Sequence, residues 1–164
     1  MDTTKWQLTG NRLSEKWHSG KYSRFSNRSA PEGLLDMSSS RTVWVGKSFV
    51  FKIGFNSWQN TREYNFLARW GGKEVTVEAT GKVLVTFCFP KVLAVGEFAS
   101  AKPEESVEWI IVERMHGMDD CEDGESFLGY RELSHTVGVY DLTPGNVLLL
   151  PDGRKAVVDC GVSD

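Results

Sequence analysis

The order of elements along this chain predicts an α+β fold with a mostly antiparallel sheet. Three observations carry the prediction. Short runs rich in β-branched and aromatic residues, bounded by Gly, Pro and Ser, recur between residues 33 and 114. Two stretches, 57–70 and 126–137, look helical and stop at glycine. The last quarter holds two apolar runs joined by Pro151-Asp152-Gly153, which reads as a hairpin. There is no internal repeat.

Each element follows from its residues. Positions 1–30 are polar and basic, with Lys5, Arg12, Lys16, Lys21, Arg24 and Arg28 against only Asp2 and Glu15. Scattered aromatics do not change that reading, and the expectation is a partly ordered arm with a short helix near 11–18. After the turn at Pro31-Glu32-Gly33, two short strands are expected at Leu34–Met37 and Thr42–Val45, on either side of Ser38-Ser39-Ser40. A third strand runs over Lys47–Ile53. Ser57–Trp70 is a helix stopped by Gly71-Gly72. Val75–Phe89 reads as strand broken at Gly81, and Pro90–Phe98 as another. Glu108–Arg114 is a buried strand by its continuous apolar run. Asp119–Gly124 is a loop, Ser126–Val137 a helix ended by Gly138, and 147–150 and 156–158 the closing strands.

Composition narrows the function classes. A chain of 164 residues with 40% apolar residues and six Trp can bury a core. Net charge is −3, which argues against nucleic acid as a partner. Residues 104–125 are acidic (Glu104, Glu105, Glu108, Glu113, Asp119, Asp120, Glu122, Asp123, Glu125), so the basic arm could dock on this face or on a partner's. Ordinary solvated charge is the alternative. Cys88, Cys121 and Cys160 lack metal spacing and read as reduced thiols of a cytoplasmic protein. No apolar run is long enough to span a membrane.

The chemistry concentrates near the end. Asp141 and Asn146 are set five apart on a loop containing Pro144 and Gly145, and the hairpin that follows leads to Asp159-Cys160-Gly161. The hairpin brings the three polar side chains to one mouth. One carboxylate can orient an acceptor hydroxyl, while an amide and a second carboxylate hold Mg²⁺ for phosphoryl transfer. Upstream, Lys52 lies among apolar strand neighbours and needs a partner, which Glu63 on the following helix can supply. Each residue alone also fits a structural role: Lys52 snorkelling, Glu63 in a helix-surface pair, Asp141 and Asn146 capping a loop, Asp159 in a strand-end turn.

Taken as an ordered set, these residues resemble the protein kinase-like superfamily, from about residue 33 onward. Phe49-Val50-Phe51-Lys52 is similar to the third-strand V-A-I-K, and Arg62-Glu63-Tyr64-Asn65-Phe66-Leu67 to the helix whose Glu pairs with that Lys. Trp109–Gly117 resembles the fifth strand and hinge, Asp141-Leu142-Thr143-Pro144-Gly145-Asn146 the catalytic loop, and Asp159-Cys160-Gly161 the D-F-G. The resemblance implies a kinase-like N-lobe of antiparallel sheet plus one helix, and a minimal C-lobe of one helix, catalytic loop and hairpin. The corresponding divisions are 1–30 (arm), 31–117 (N-lobe and hinge) and 118–164 (C-lobe).

It also implies roles. Lys52, held by Glu63, grips ATP phosphates; Ser38 and Ser39 cover them; Glu113 and Met115 flank adenine; Asp141 acts as base; Asn146 and Asp159 bind Mg²⁺. Four departures qualify those roles. Val139-Tyr140 stands where His-Arg is usual, and Thr143 where a Lys is usual. The serine run replaces a G-x-G-x-x-G loop, and the sequence stops three residues after Gly161, before any substrate platform. The expected function is therefore an ATP/Mg²⁺-dependent Ser/Thr kinase of compact phage or bacterial type. Its expected partner is a protein, either a host protein or the chain itself, with a homodimer as one form. The alternatives are a pseudokinase that docks on a host protein, and a small-molecule phosphotransferase.

Overall fold

The computed structural model describes residues 3–19, 33–36, 41–54, 57–97, 106–120, 127–139, 142 and 144–159. They fall into two compact units, Met1–Tyr64 with Val92–Arg114, and Asn65–Lys91 with Met115–Asp164.

The first unit is an antiparallel sheet of β1 (Gly33–Asp36), β2 (Arg41–Val45), β3 (Phe49–Gly54), β6 (Val92–Glu97) and β7 (Val107–Glu113), in the order β1-β2-β3-β7-β6. Side chains alternate across a strand, and residues opposite one another share a face. Phe51 sits opposite Ile111 and Ile53 opposite Trp109. These four form one core with Leu93, Ala94 and Leu13. Lys52 sits opposite Ile110, and Val50 opposite Val112, on the other face. Both faces of β7 are therefore used, which is why Trp109–Val112 reads as an unbroken apolar run.

The first face is covered by α1 (Thr3–His18). This corrects the expected irregular arm with a helix near 11–18: the helix fills 3–18 and packs on the sheet. Trp6, Gly10, Leu13 and Trp17 recur at helical spacing and form the buried stripe. Gly10 disguises the pattern because glycine disfavours a helix by about 1 kcal/mol. Here it is required, since a Cβ at Gly10 would overlap the Trp109 ring. Trp17 Nε1 donates to Thr42 Oγ1 at 3.1 Å, Gln7 Nε2 donates to the Val95 carbonyl at 3.3 Å, and His18 hydrogen-bonds Glu108. The second face receives the start of α2 (Ser57–Trp70), which occupies its expected span.

The second unit is a mixed sheet of β4 (Glu74–Ala79), β5 (Val83–Cys88), β8 (Met118–Asp119), β9 (Val147–Leu149) and β10 (Lys155–Val157), in the order β4-β5-β10-β9-β8. β10 runs parallel to β5 and antiparallel to β9. There are thus two sheets among the described residues rather than one. The 74–88 hairpin joins the strands of the last quarter. Pairing between strands so distant in sequence has no local signature, which is why the residues did not foretell it. Cys88, Leu150 and Ala156 centre this unit's core, with Met115, Leu148 and Val158 against them.

α3 is shorter than the predicted 126–137 and covers Tyr130–Val137. Gly129 has φ +84° ahead of it, and a Cβ there would press on Phe87 and Val85 at 3.1–3.2 Å. At the other end Gly138 takes φ +79° and its N–H caps the Ser134 carbonyl, as expected of the stop. The expected loop from Asp119 begins with β8. No helix among the described residues is long and apolar enough to cross a membrane.

Candidate functional site

In the first unit, β3 and α2 bring Lys52 and Glu63 together. Phe51 and Ile53 anchor β3 in the core, so alternation turns Lys52 to the opposite face, where α2 lies. Lys52 Nζ donates to Glu63 Oε1 at 2.6 Å. Glu63 is fully buried, and Lys52 is 4% exposed.

A third residue, Arg41 at the start of β2, completes the cluster, and sequence reasoning missed it. Arg41 lies opposite Gly54 and Val43 opposite Lys52, so Arg41 and Lys52 share a face. Gly54 has no side chain to compete for that space. Arg41 Nη1 donates to Glu63 Oε2 at 2.6 Å and to Asn60 Oδ1 at 2.9 Å. Asn60 Nδ2 donates in turn to the Glu108 carbonyl at 2.7 Å, and Thr61 Oγ1 accepts the Val107 N–H at 3.1 Å. α2 is therefore stitched to β2, β3 and β7 through side chains that are themselves buried. Burial pushes the Glu63 carboxyl up, but Arg41 and Lys52, by charge and hydrogen bonding, outweigh it and hold the group below the usual carboxylate range. The detectable signal for Arg41 was its place two residues before Val43 on a strand whose face is otherwise apolar.

Glu113 ends β7 opposite Phe49, and the next residue fixes that end: Arg114 N–H donates to the Ser48 carbonyl at 3.0 Å and Arg114 Nη1 to the Gly46 carbonyl at 3.0 Å. Met115 packs its side chain on the Cys88, Leu150, Ala156 core of the second unit.

In the second unit, Asn146 and Val158 pair at one end of the closing hairpin, and Asp159 follows. Pro144–Asn146 is a single 3-10 turn that leads directly into β9. Val147 pairs with Val157, and the Val158 N–H donates to the Asn146 carbonyl at 2.9 Å. That bond extends the ladder one step and sets Asp159 beside the Asn146 turn. Both side chains are half-buried. Their amide oxygen and carboxylate are hard donors of the kind Mg²⁺ takes, so the donor set fits that ion. Ser38, Ser39 and Asp141 lie outside the described residues. Among the described residues no group of three or more His, Cys, Asp or Glu is arranged for a metal ion.

The second unit also holds a buried ion pair that the sequence did not reveal. Lys155 Nζ donates to Asp120 Oδ2 at 2.9 Å, the Tyr130 hydroxyl donates to the same oxygen, and the ammonium lies 5.4 Å from the centre of the Tyr130 ring. Asp120 is fully buried and Lys155 is 4% exposed. The cluster joins β10, α3 and the end of β8 upstream of Asp159. In the sequence Asp120 is one of nine acidic residues between 104 and 125, and only the pairing distinguishes it.

No protein-family model matches the chain, and no curated protein matches it. Solved structures do. The crystal structure of WbdD is similar at TM-score 0.53 and 21% identity, over 79% of this chain and 32% of that one. WbdD with the kinase inhibitor LY294002 is similar at TM-score 0.50 and 21% identity, over 76% of this chain and 31% of that one. The structure of the bifunctional kinase-methyltransferase WbdD matches at TM-score 0.49 and 22% identity, over 74% and 29%. This chain thus spans about a third of those proteins. The likeness is one of fold: α+β and kinase-like, with the first unit built as an N-lobe and the second as a small C-lobe.

Proposed function

We propose that the chain is a kinase-type phosphotransferase that uses ATP and Mg²⁺ to phosphorylate Ser or Thr hydroxyls, on a protein partner or on itself. The observation that carries this is the Lys52–Glu63 ion pair, formed in full burial between β3 and α2. A surface Lys–Glu pair would mean little. A buried one carries a desolvation cost that packed apolar residues would avoid, and anchoring the phosphates of a nucleotide is a reason to keep it.

In this reading Glu63 fixes the direction of the Lys52 ammonium, which binds the α- and β-phosphates. Backbone groups at Glu113 and Met115 hold the adenine edge. Ser38 and Ser39 contribute hydroxyls and amides to the phosphate cover. Asn146 and Asp159 would hold the metal, and Asp141 orients the acceptor hydroxyl and takes its proton as the phosphoryl group leaves ATP. Bound Mg²⁺ would supply neutralisation of the charge that develops on the transferred phosphoryl. Asp159 follows directly on the backbone bond from Val158 to the Asn146 carbonyl, which is consistent with a shared role for the two.

Purified protein incubated with labelled ATP and Mg²⁺, alone and with a bacterial lysate, should transfer label to Ser or Thr. The label should disappear in Asp141→Ala and in Asp159→Ala. Absence of transfer to any protein, with both variants folded, would remove the enzyme reading and favour a docking module.

A further inference from the structure

The first unit holds a hollow on the sheet face opposite Lys52, where α1 crosses β6 and β7. Its volume is about 640 Å³, within the range of about 300–1,000 Å³ usual for ligand sites. It opens at the edge of the sheet, because β6 is the last strand in the order. Gln7, Asn11, Ser14 and Glu15 line it from α1. Their spacing of i, i+4, i+7 and i+8 places them on one stripe of the helix. The basic residues Lys5 and Arg12 line a separate hollow with Thr4, Leu8 and Thr9. Charge on α1 is thus sorted by face, and no Lys, Arg or His lines the cavity beside β6.

Glu97 at the end of β6 and Glu108 on β7 add two more carboxylates to the wall. Glu108 is engaged by His18. Glu15 and Glu97 are exposed, and their carboxylates have no cationic partner among the described residues. Exposed carboxylates alone are ordinary protein surface. Trp109 supplies a second, independent feature. Its side chain borders the cavity although the residue is only 3% exposed. The six-membered ring lies at Gly10 and Nε1 lies at Gly96, where a Cβ on either glycine would overlap it. Gly96 also lines the cavity, so the N–H end of the indole is the end that meets it. A buried indole N–H ordinarily finds an acceptor; this one has none among the described residues.

We propose that this cavity is a docking site for an arginine-bearing peptide segment of a protein partner. The guanidinium pairs with the Glu15 and Glu97 carboxylates, and a carbonyl of the peptide accepts from Trp109 Nε1. The lining asks for both groups in one ligand: a cation for the carboxylates and an acceptor for the indole. A peptide carries them side by side, whereas an alkylguanidine or a polyamine has the cation without the acceptor. An acidic peptide or a nucleic acid is repelled by the same carboxylates. Arginine suits the site because its planar fork of five donors can serve carboxylates and amide oxygens at once. The site goes beyond the phosphotransferase reading and does not rest on it, since none of its residues belongs to the Lys52 cluster or to the closing hairpin.

The experiment is isothermal titration calorimetry on the full chain at low salt with three probes. They are a blocked Ala-Arg-Ala-Arg-Ala peptide, the same peptide with citrulline in place of arginine, and butylguanidine. Citrulline keeps the shape of arginine and removes its charge; butylguanidine keeps the charge and removes the carbonyls. The arginine peptide should bind saturably with a Kd below about 1 mM. The citrulline peptide and butylguanidine should each bind about tenfold or more weakly than that. The variant Glu15→Gln/Glu97→Gln alters two exposed side chains and should fold with an unchanged Tm. It should lose about tenfold or more in affinity for the arginine peptide and stay within about twofold for the citrulline peptide. No binding of the arginine peptide at about 1 mM overturns the proposal, as does wild-type affinity for it in the double variant. Equal affinity for the arginine and citrulline peptides overturns the charge pairing on the wild type alone. Butylguanidine bound as tightly as the peptide overturns the peptide assignment and leaves a site for a simple cation.

Discussion

Replacing Glu63 by Gln tests the buried cluster most sharply, because it keeps the shape and deletes the charge. One carboxylate oxygen becomes an NH₂ group, so a donor faces either the Lys52 ammonium or the Arg41 guanidinium, each of which now lies 2.6 Å from it or from the remaining oxygen. Two cations are left together, both nearly inaccessible to solvent. Removing one member of a buried ion pair costs about 3–5 kcal/mol, and no discount for solvent screening applies at a fully buried carboxylate. That is a large share of the ~5–15 kcal/mol by which a domain is stable. Urea unfolding followed by Trp fluorescence reads the first unit, which holds Trp6, Trp17, Trp44, Trp58 and Trp109. The pH dependence gives the sign. The charges of Arg41 and Lys52 hold the Glu63 carboxyl below the usual carboxylate range in the folded state, against the opposing effect of burial. Its stabilisation is therefore complete above about pH 4.5 and is lost as pH falls through the lowered folded value. The gap between wild type and Glu63→Gln should be about 3–5 kcal/mol at pH 7 and should narrow in acid. A gap below about 1 kcal/mol at pH 7, the size of an ordinary surface pair, or one that does not change in acid, would refute the account of this cluster.

Other expectations follow from the same contacts. Gly10→Val should destabilise the first unit by about 1–3 kcal/mol through overlap with Trp109, seen as a lower Tm with altered Trp fluorescence. Trp17→Phe keeps most of the packing and removes the Nε1 bond to Thr42, so it should cost only about 1 kcal/mol. Lys155→Met should leave the Asp120 carboxylate uncompensated in full burial and destabilise the second unit by about 3–5 kcal/mol, measured by hydrogen exchange of β5, β9 and β10 amides. Unchanged protection there would show that the pair carries no stability.

How much of this was legible in the residues depended on whether the signal was local. The closing hairpin was readable because Pro151-Asp152-Gly153 punctuates two apolar runs, and α2 because Gly71-Gly72 stops a periodic stretch. The pairing of Lys52 with Glu63 followed from one rule: a lysine among core-facing neighbours needs a counter-charge. Arg41 escaped the same rule because it precedes the strand's apolar residues, next to a serine run, where arginine is unremarkable. α1 escaped because Gly10 looks like a breaker until the Trp109 ring beneath it is known. The parallel contact of β5 with β10 escaped because nothing within either segment specifies a partner some seventy residues away. Asp120 is one acidic residue among nine between 104 and 125, and only its burial with Lys155 and Tyr130 sets it apart.

The central claim is that Lys52, Asn146 and Asp159 serve a nucleotide and its metal. Calorimetric titration of ATP into the protein, with and without Mg²⁺, tests it most directly. The account predicts saturable binding that strengthens with Mg²⁺ in the wild type. It predicts that Asp159→Ala loses the Mg²⁺-dependent part and Lys52→Met the preference for ATP over adenosine. No heat of binding at millimolar ATP, or binding in Asp159→Ala that still strengthens with Mg²⁺ as in the wild type, would contradict it.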